Sequence, residues 1–303
     1  MDKNFIQNSI SLRGQEVGQK WLDLLPEIIK KYENKWRIKS LGTFPNLSIN
    51  YVEKARTDND EDVVLKIGFP GDEEFLSEIA ALTIYKGEGS VKVLEKNPED
   101  CVLLLERCMP GDSLDYLNNE EEEILIFAET CKKIWKKVPD NPKFKYLSGE
   151  SKYFDWYFKN YEKAREFLPG QLVNKAKEKF EHLIESQGEL YLLHSDLHHY
   201  NILSSGRGWL AIDPKGLIGE RQFELSTFII NPYKRFKDNE SLITSDFFER
   251  RIELLAKTLG FEKQRITDWA FVKIILSMIW FIQDHNKDNK IGLKTAKELE
   301  KLL

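Results

Sequence analysis

The sequence predicts an α+β chain whose N-terminal part is a small antiparallel sheet and whose remainder is mainly helical. Two patterns and one number predict it. Up to Leu105, short extended apolar runs alternate with charged turns; beyond Glu106, apolar residues return mostly at helical spacing. A length of 303 residues, 41% of them apolar and 12% aromatic, exceeds most single cores, so two lobes are expected, 1–107 and 108–303.

Val17, Trp21, Leu24, Leu25, Ile28, Ile29 and Tyr32 recur at helical spacing and predict an amphipathic helix over 14–34, kinked or restarted at Pro26. Three strands follow, at Trp36–Leu41, Leu47–Val52 and Val63–Ile67, with Thr57-Asp58-Asn59-Asp60 as a turn. Pro70-Gly71-Asp72 stops the third strand, and Phe75, Ile79 and Leu82 mark a helix that ends by Gly87 and Gly89. Val91–Leu94 and Cys101–Leu105 complete the sheet. Helices are then expected around 120–138, 153–167, 172–186, 246–259 and 267–284. The exception is Tyr191–Ile212, where apolar runs flank Ser204-Ser205-Gly206-Arg207-Gly208 as a hairpin.

Composition excludes several classes. A net charge of −5 and a pI near 5.7 argue against a nucleic-acid partner, which asks for a basic face; they are compatible with a cationic small molecule, but on charge alone the mild acidity common among cytosolic proteins accounts for them. Cys101, Cys108 and Cys131 are odd in number and lack C-x-x-C spacing, so they read as reduced thiols. No signal-like start precedes them, and the most apolar stretch, Phe271–Ile282, is interrupted by Lys273 and too short to span a bilayer. A cytoplasmic protein without a membrane partner is expected; the oligomeric state is not legible.

The chemistry concentrates in His194-Ser195-Asp196-Leu197-His198-His199-Tyr200-Asn201, which fits H-x-D-x-x-x-x-N, followed by Ile212-Asp213-Pro214 at the end of an apolar strand. Phosphoryl transfer needs a carboxylate to orient the attacking hydroxyl and further oxygen ligands to hold magnesium on the phosphates. Asp196, Asn201 and Asp213 supply them in that order. A zinc set of His194, His198 and His199 competes, because His residues four apart can share a metal on a helix. The segment reads as a loop, however, and magnesium accounts for more residues; His194 is expected to hold the loop by a hydrogen bond.

Lys66 lies in Val63-Val64-Leu65-Lys66-Ile67, apolar on both faces, so its ammonium needs a partner. Glu78 borders the buried stripe of the next helix and is preferred to Glu74, one turn earlier. A Lys66–Glu78 pair that holds nucleotide α- and β-phosphates explains both.

Strand lysine, helix glutamate, a hinge-like 101–108 segment, H-x-D-x-x-x-x-N and a strand-end Asp together resemble the aminoglycoside phosphotransferase family, most closely its streptomycin 6-phosphotransferase and hydroxyurea kinase branch. Shared runs include Val64-Leu65-Lys66, Leu103-Leu104-Leu105-Glu106-Arg107, Pro110-Gly111, Ala211-Ile212-Asp213-Pro214-Lys215-Gly216, Gly219-Glu220 and Asn231-Pro232. Pro-Lys-Gly after Asp213, where protein kinases have Phe-Gly, makes protein substrates an unfavourable expectation. The resemblance implies a bilobal protein-kinase-like fold, ATP (with GTP open) and Mg2+ as cofactors, Asp196 as catalytic base, Asn201 and Asp213 as magnesium ligands, and Lys66 on the phosphates. It further implies backbone contacts from Glu106 to Cys108 to the purine, and Glu224 as a brace for the catalytic loop. The family often has Gly at the position of Ser195. The turn Gly42-Thr43-Phe44-Pro45-Asn46, expected over the nucleotide, has one glycine. The expected reaction is O-phosphorylation of a hydroxylated small molecule such as streptomycin. Competing expectations are a metabolite kinase of the same fold, of sugar-amine, choline or fructosamine type, and a nucleotide-binding module without catalysis. Glu220, Asp246, Glu249 and Asp284 are acids that could meet a cationic substrate, or solvated helix charges.

Overall fold

Two units divide the chain in the computed structural model, which describes residues 3–45, 47–140, 143–231 and 233–303. The first runs to Gly111 and also takes in Ser205–Leu210; the second comprises Asp112–Ser204 and Ala211–Leu303. The boundary expected at residue 107 thus falls at 111, and a short hairpin tip groups with the first unit. Asn46 and Pro232 lie outside the described residues.

The first unit opens with α1 (Lys3–Arg13) and α2 (Gln15–Trp36), then β1 (Ile38–Thr43), β2 (Tyr51–Thr57), β3 (Asp62–Ile67), α3 (Glu73–Tyr85), β4 (Val93–Asn97) and β5 (Val102–Glu106). The sheet order is β1-β2-β3-β5-β4, antiparallel throughout, with β3 in the centre. α2 is continuous across Pro26 instead of restarting there. α1 carries no strong period and was not expected, yet Phe5 is fully buried against Trp21 and Tyr51, at ring distances of 5.6 and 6.1 Å. β2 lies four residues later than expected because its inward face reads Tyr51, Glu53, Ala55, and the buried carboxylate hides the alternation. Glu53 is tolerated there because the Tyr51 and Ser40 hydroxyls both donate to it at 2.8 Å.

Asp72 caps α3: its Oδ1 accepts from the backbone N–H of Glu74 at 2.9 Å and of Phe75 at 3.3 Å. Such a cap stabilises a helix by about 1 kcal/mol, and it sets the start of the helix that bears Glu78.

The second unit begins within β6 (Pro110–Ser113) and continues through α4 (Glu120–Ile134), β7 (Lys136–Lys137), β8 (Lys145–Tyr146), α5 (Ser151–Lys159), α6 (Tyr161–Ala164), α7 (Gly170–Glu185), β9 (Tyr191–Leu193), β10 (Ile202–Ser205), β11 (Gly208–Ala211) and β12 (Leu217–Gly219). It closes with α8 (Arg221–Ile230), α9 (Tyr233–Asp238), α10 (Ser245–Leu259), α11 (Lys263–His285) and α12 (Lys290–Glu300). A small sheet ordered β7-β9-β12-β8 matters most: β9 delivers the chain into His194, and β12, paired Leu217↔Leu193 and Gly219↔Tyr191, receives it after Asp213. Both ends of the candidate catalytic segment are therefore tied to one pair of strands.

α11 is longer than expected and has the length and apolarity of a bilayer span, but 72% of its most apolar window is buried inside the second unit. Trp269, Phe271, Val272, Ile275, Leu276 and Ile279 are fully buried. At about 1.5–3 kcal/mol each, they outweigh the several kcal/mol that burying Lys273 costs.

Candidate active site

In the first unit Lys66 sits on β3 opposite Val52 and Leu103, a central register position that shuts out water. Phe75, Glu78, Ile79 and Leu82 share one face of α3, so Glu78 is carried inward with its apolar neighbours. The Lys66 ammonium donates to both Glu78 oxygens at 2.7 Å, with the residues 4% and 5% exposed. A buried pair of this kind is held in place because separating it leaves an uncompensated charge worth about 3–5 kcal/mol.

Glu106 ends β5. Its backbone N–H donates to Lys92 O at 3.0 Å, and its carboxylate is held by Arg207, which also donates to Gly87 O at 3.1 Å and Ser90 O at 3.2 Å. Arg207 lies at the hairpin tip that groups with this unit, and its sequence context marks only a turn. Cys108 is buried, and burial pushes its thiol up to about 11, so it is a neutral group beside Glu106.

In the second unit the loop after β9 is fastened at three consecutive peptide N–H groups, those of His194, Ser195 and Asp196. Glu224, fully buried on the first turn of α8, accepts the backbone N–H of His194 at 2.6 Å and of Ser195 at 2.8 Å. Burial pushes its carboxyl up to about 7, against the pull of those two donors. Ser195 stands at φ +64, a left-handed conformation that glycine adopts without strain, as the glycine implied there by the family resemblance would. His194 Nε2–H donates to Ile212 O at 2.7 Å, while its Nδ1 accepts from Asp196 N at 3.3 Å. That arrangement needs the neutral ring, and burial lowers its pKa to about 4.

Asp196 is partly exposed at the end of this web. Asn201 donates its Nδ2 to Asp196 O at 2.9 Å, which leaves its side-chain oxygen for a cation. Ile212 N donates to Asn201 O at 3.0 Å, so the residue before Asp213 is tied to Asn201. Asp213 itself is left-handed, at φ +57, and exposed. Lys215 N donates to His194 O at 3.0 Å, and its ammonium lies 3.7 Å from Asp196 Oδ2. Asp196, Asn201 and Asp213 are thus linked through one hydrogen-bonded backbone; Lys66, Glu78, Glu106 and Cys108 belong to the other unit.

A carboxylate and an amide oxygen are hard donors, which suit magnesium. Among the described residues no group of three or more His, Cys, Asp or Glu could hold a metal ion. The three histidines are otherwise engaged. His198 Nδ1 accepts from Tyr200 N at 3.2 Å. His199 stacks on Phe228 with ring centroids 4.3 Å apart, donates from Nδ1 to Asn231 O at 2.9 Å, and faces the Arg251 guanidinium at 2.9 Å.

Of the acids proposed for a cationic substrate, Glu220 is buried and committed: it accepts from Arg265 Nε at 2.8 and 2.9 Å and from the Trp269 indole. Glu249 pairs with Lys263 at 2.8 Å. Neither surface solvation nor a free substrate contact describes Glu220.

Residues 35–285 match the model of the family described as "Aminoglycoside/hydroxyurea antibiotic resistance kinase". The streptomycin 3″-kinase of Klebsiella pneumoniae is 28% identical over 82% of this chain and 91% of its own length. The streptomycin 6-kinase of Streptomyces glaucescens is 24% identical over 89% of this chain and 87% of its own. Among solved structures, the choline kinase LicA of Streptococcus pneumoniae superposes with a TM-score of 0.63 at 16% identity, covering 92% of this chain and 98% of that one. That last likeness concerns the protein-kinase-like fold alone.

Proposed function

The chain belongs to the aminoglycoside/hydroxyurea antibiotic resistance kinase family, a family of phosphotransferases, and from that premise we propose that it transfers the γ-phosphate of ATP, with magnesium, to a hydroxyl of an aminoglycoside such as streptomycin. The observation that carries this reading is the fastening of Asp196, Asn201 and Asp213 to one braced loop. Asp196 orients the acceptor hydroxyl and accepts its proton as the oxygen attacks the γ-phosphorus and the bond to the β-phosphate oxygen breaks. Asn201 Oδ1 and the Asp213 carboxylate hold magnesium, which neutralises charge on the phosphate oxygens when bound. The Lys66–Glu78 pair supports the α- and β-phosphates, and the backbone from Glu106 to Cys108 meets the purine.

A net charge of −5 favours approach of a polycationic acceptor. The three cysteines, all free and buried, fit a reducing cytoplasm. The test supplies Mg-ATP or Mg-GTP with streptomycin, other aminoglycosides, hydroxyurea, choline and a fructosamine, and reads nucleoside diphosphate release and product mass. The two streptomycin kinases act at positions 6 and 3″ by their names, so both positions are scored. Transfer to an aminoglycoside, reduced roughly 10²- to 10⁴-fold in Asp196→Ala, is expected. Activity confined to choline or the fructosamine, or undiminished transfer by the variant, overturns the reading.

A further inference from the structure

Lys273 is the one charged residue in the apolar run 271–282, and it is 5% exposed in the middle of α11. Its ammonium lies 4.8 Å from the Trp280 ring centroid and 5.1 Å from that of Phe223. Two ring faces return less than the loss of hydration of an ammonium, and Met would fill the same volume without that loss. What the ammonium reaches is the backbone oxygen of Ser195, at 3.3 Å, and the Thr227 hydroxyl donates to the same oxygen at 3.4 Å.

That oxygen belongs to the peptide joining Ser195 to Asp196. The N–H of the same peptide, Asp196 N, is held by His194 Nδ1 at 3.3 Å, and the preceding peptide N–H, Ser195 N, by Glu224 at 2.8 Å. Fixing both edges of one peptide plane fixes ψ of residue 195 and φ of residue 196, and with them the direction of the Asp196 Cα–Cβ bond. The left-handed φ at Ser195, +64, has little intrinsic preference to keep it there. Building on the phosphotransfer reading above, we propose that Lys273 is a positioning residue: with Thr227 opposite Glu224, it locks the Ser195–Asp196 peptide and so aims the Asp196 carboxylate at the acceptor.

The test compares wild type, Lys273→Met, Lys273→Arg and Thr227→Val. Amide hydrogen exchange of the 192–201 segment is read first and needs no acceptor. Lys273→Met is expected to speed exchange in that segment by about tenfold or more while the rest of the second unit is unchanged. With an acceptor in hand, kcat falls roughly 10- to 100-fold and KM for Mg-ATP stays within about threefold, and Lys273→Arg recovers most of both losses. Lys273→Met with unchanged loop exchange and normal kcat overturns the proposal, as does a uniform rise in exchange with normal kcat, which marks a residue that only fills the core. If Lys273→Met does not fold, Thr227→Val decides. Faster exchange confined to the loop supports the lock, and unchanged exchange there removes it. Absence of any acceptor counts against the phosphotransfer reading only, since the exchange result stands without one.

Discussion

His194 is fully buried under the loop it holds, and both of its ring nitrogens are committed in a way that only the neutral Nε2–H tautomer allows. Its folded pKa, about 4, lies below the unfolded value near 6.5. A depressed value means that the stabilising contribution is complete above pH 6.5 and is lost as pH falls toward 4, because the unfolded chain takes up the proton first. His194→Gln cannot titrate, so the stability advantage of wild type over this variant should shrink on acidification by about 1.4 kcal/mol per pH unit between 6.5 and 4. Chemical denaturation of the two proteins from pH 7.5 to 4.5 checks it; a constant difference would show that the ring is not neutral in the fold. At this scale the sequence was legible where partners are close along the chain. His194, Asp196, Asn201 and Asp213 lie within twenty residues and share one motif. Arg207 and Lys273 were not legible: their acceptors lie 101 and 78 residues away, and a lone cation carries no period that points to them.

Elements with a clean period were readable, and those whose inward face mixes polar and apolar groups were not. β3, α3 and β5, which set Lys66, Glu78 and Glu106, have continuous or helical apolar patterns and lie close to their expected ranges. β2 is displaced by its buried Glu53, and α1 was missed because Phe5, Ile6 and Ile10 are too few among Lys, Asn, Gln and Ser to mark a face. The packing nevertheless makes α1 part of the first unit's core: Phe5 is fully buried in the same cluster as Trp21, Leu25, Tyr32, Leu65 and Val102. A helix laid on the surface would lose under about 1 kcal/mol on Phe5→Ala, whereas a core position loses about 3–5 kcal/mol. The larger loss is expected in thermal or urea unfolding, with turnover at low temperature little changed because no site residue lies on α1.

For the whole molecule, the question is whether nucleotide and metal are bound as a kinase binds them or as a non-catalytic module would. A ligand that binds only the folded chain stabilises it by about 2.7 kcal/mol at a concentration of 100 Kd, and with an unfolding entropy of about 2.1 cal/mol/K per residue over 303 residues that shifts Tm by roughly 4 °C. Mg-ATP is expected to raise Tm by this order, and ATP with chelator by less, if, as proposed, Asn201 and Asp213 hold magnesium against the phosphates. Asp213→Asn should erase the difference between the two conditions, since it removes the charged ligand while its left-handed backbone, φ +57, is one that Asn tolerates. Asp196→Asn should keep the full magnesium-dependent shift and lose turnover, because a base that meets the acceptor contributes to the transition state rather than to nucleotide affinity. Loss of the shift in both variants would make Asp196 a metal ligand instead of the base; retention in both, with no transfer to any hydroxyl, would leave nucleotide binding without catalysis.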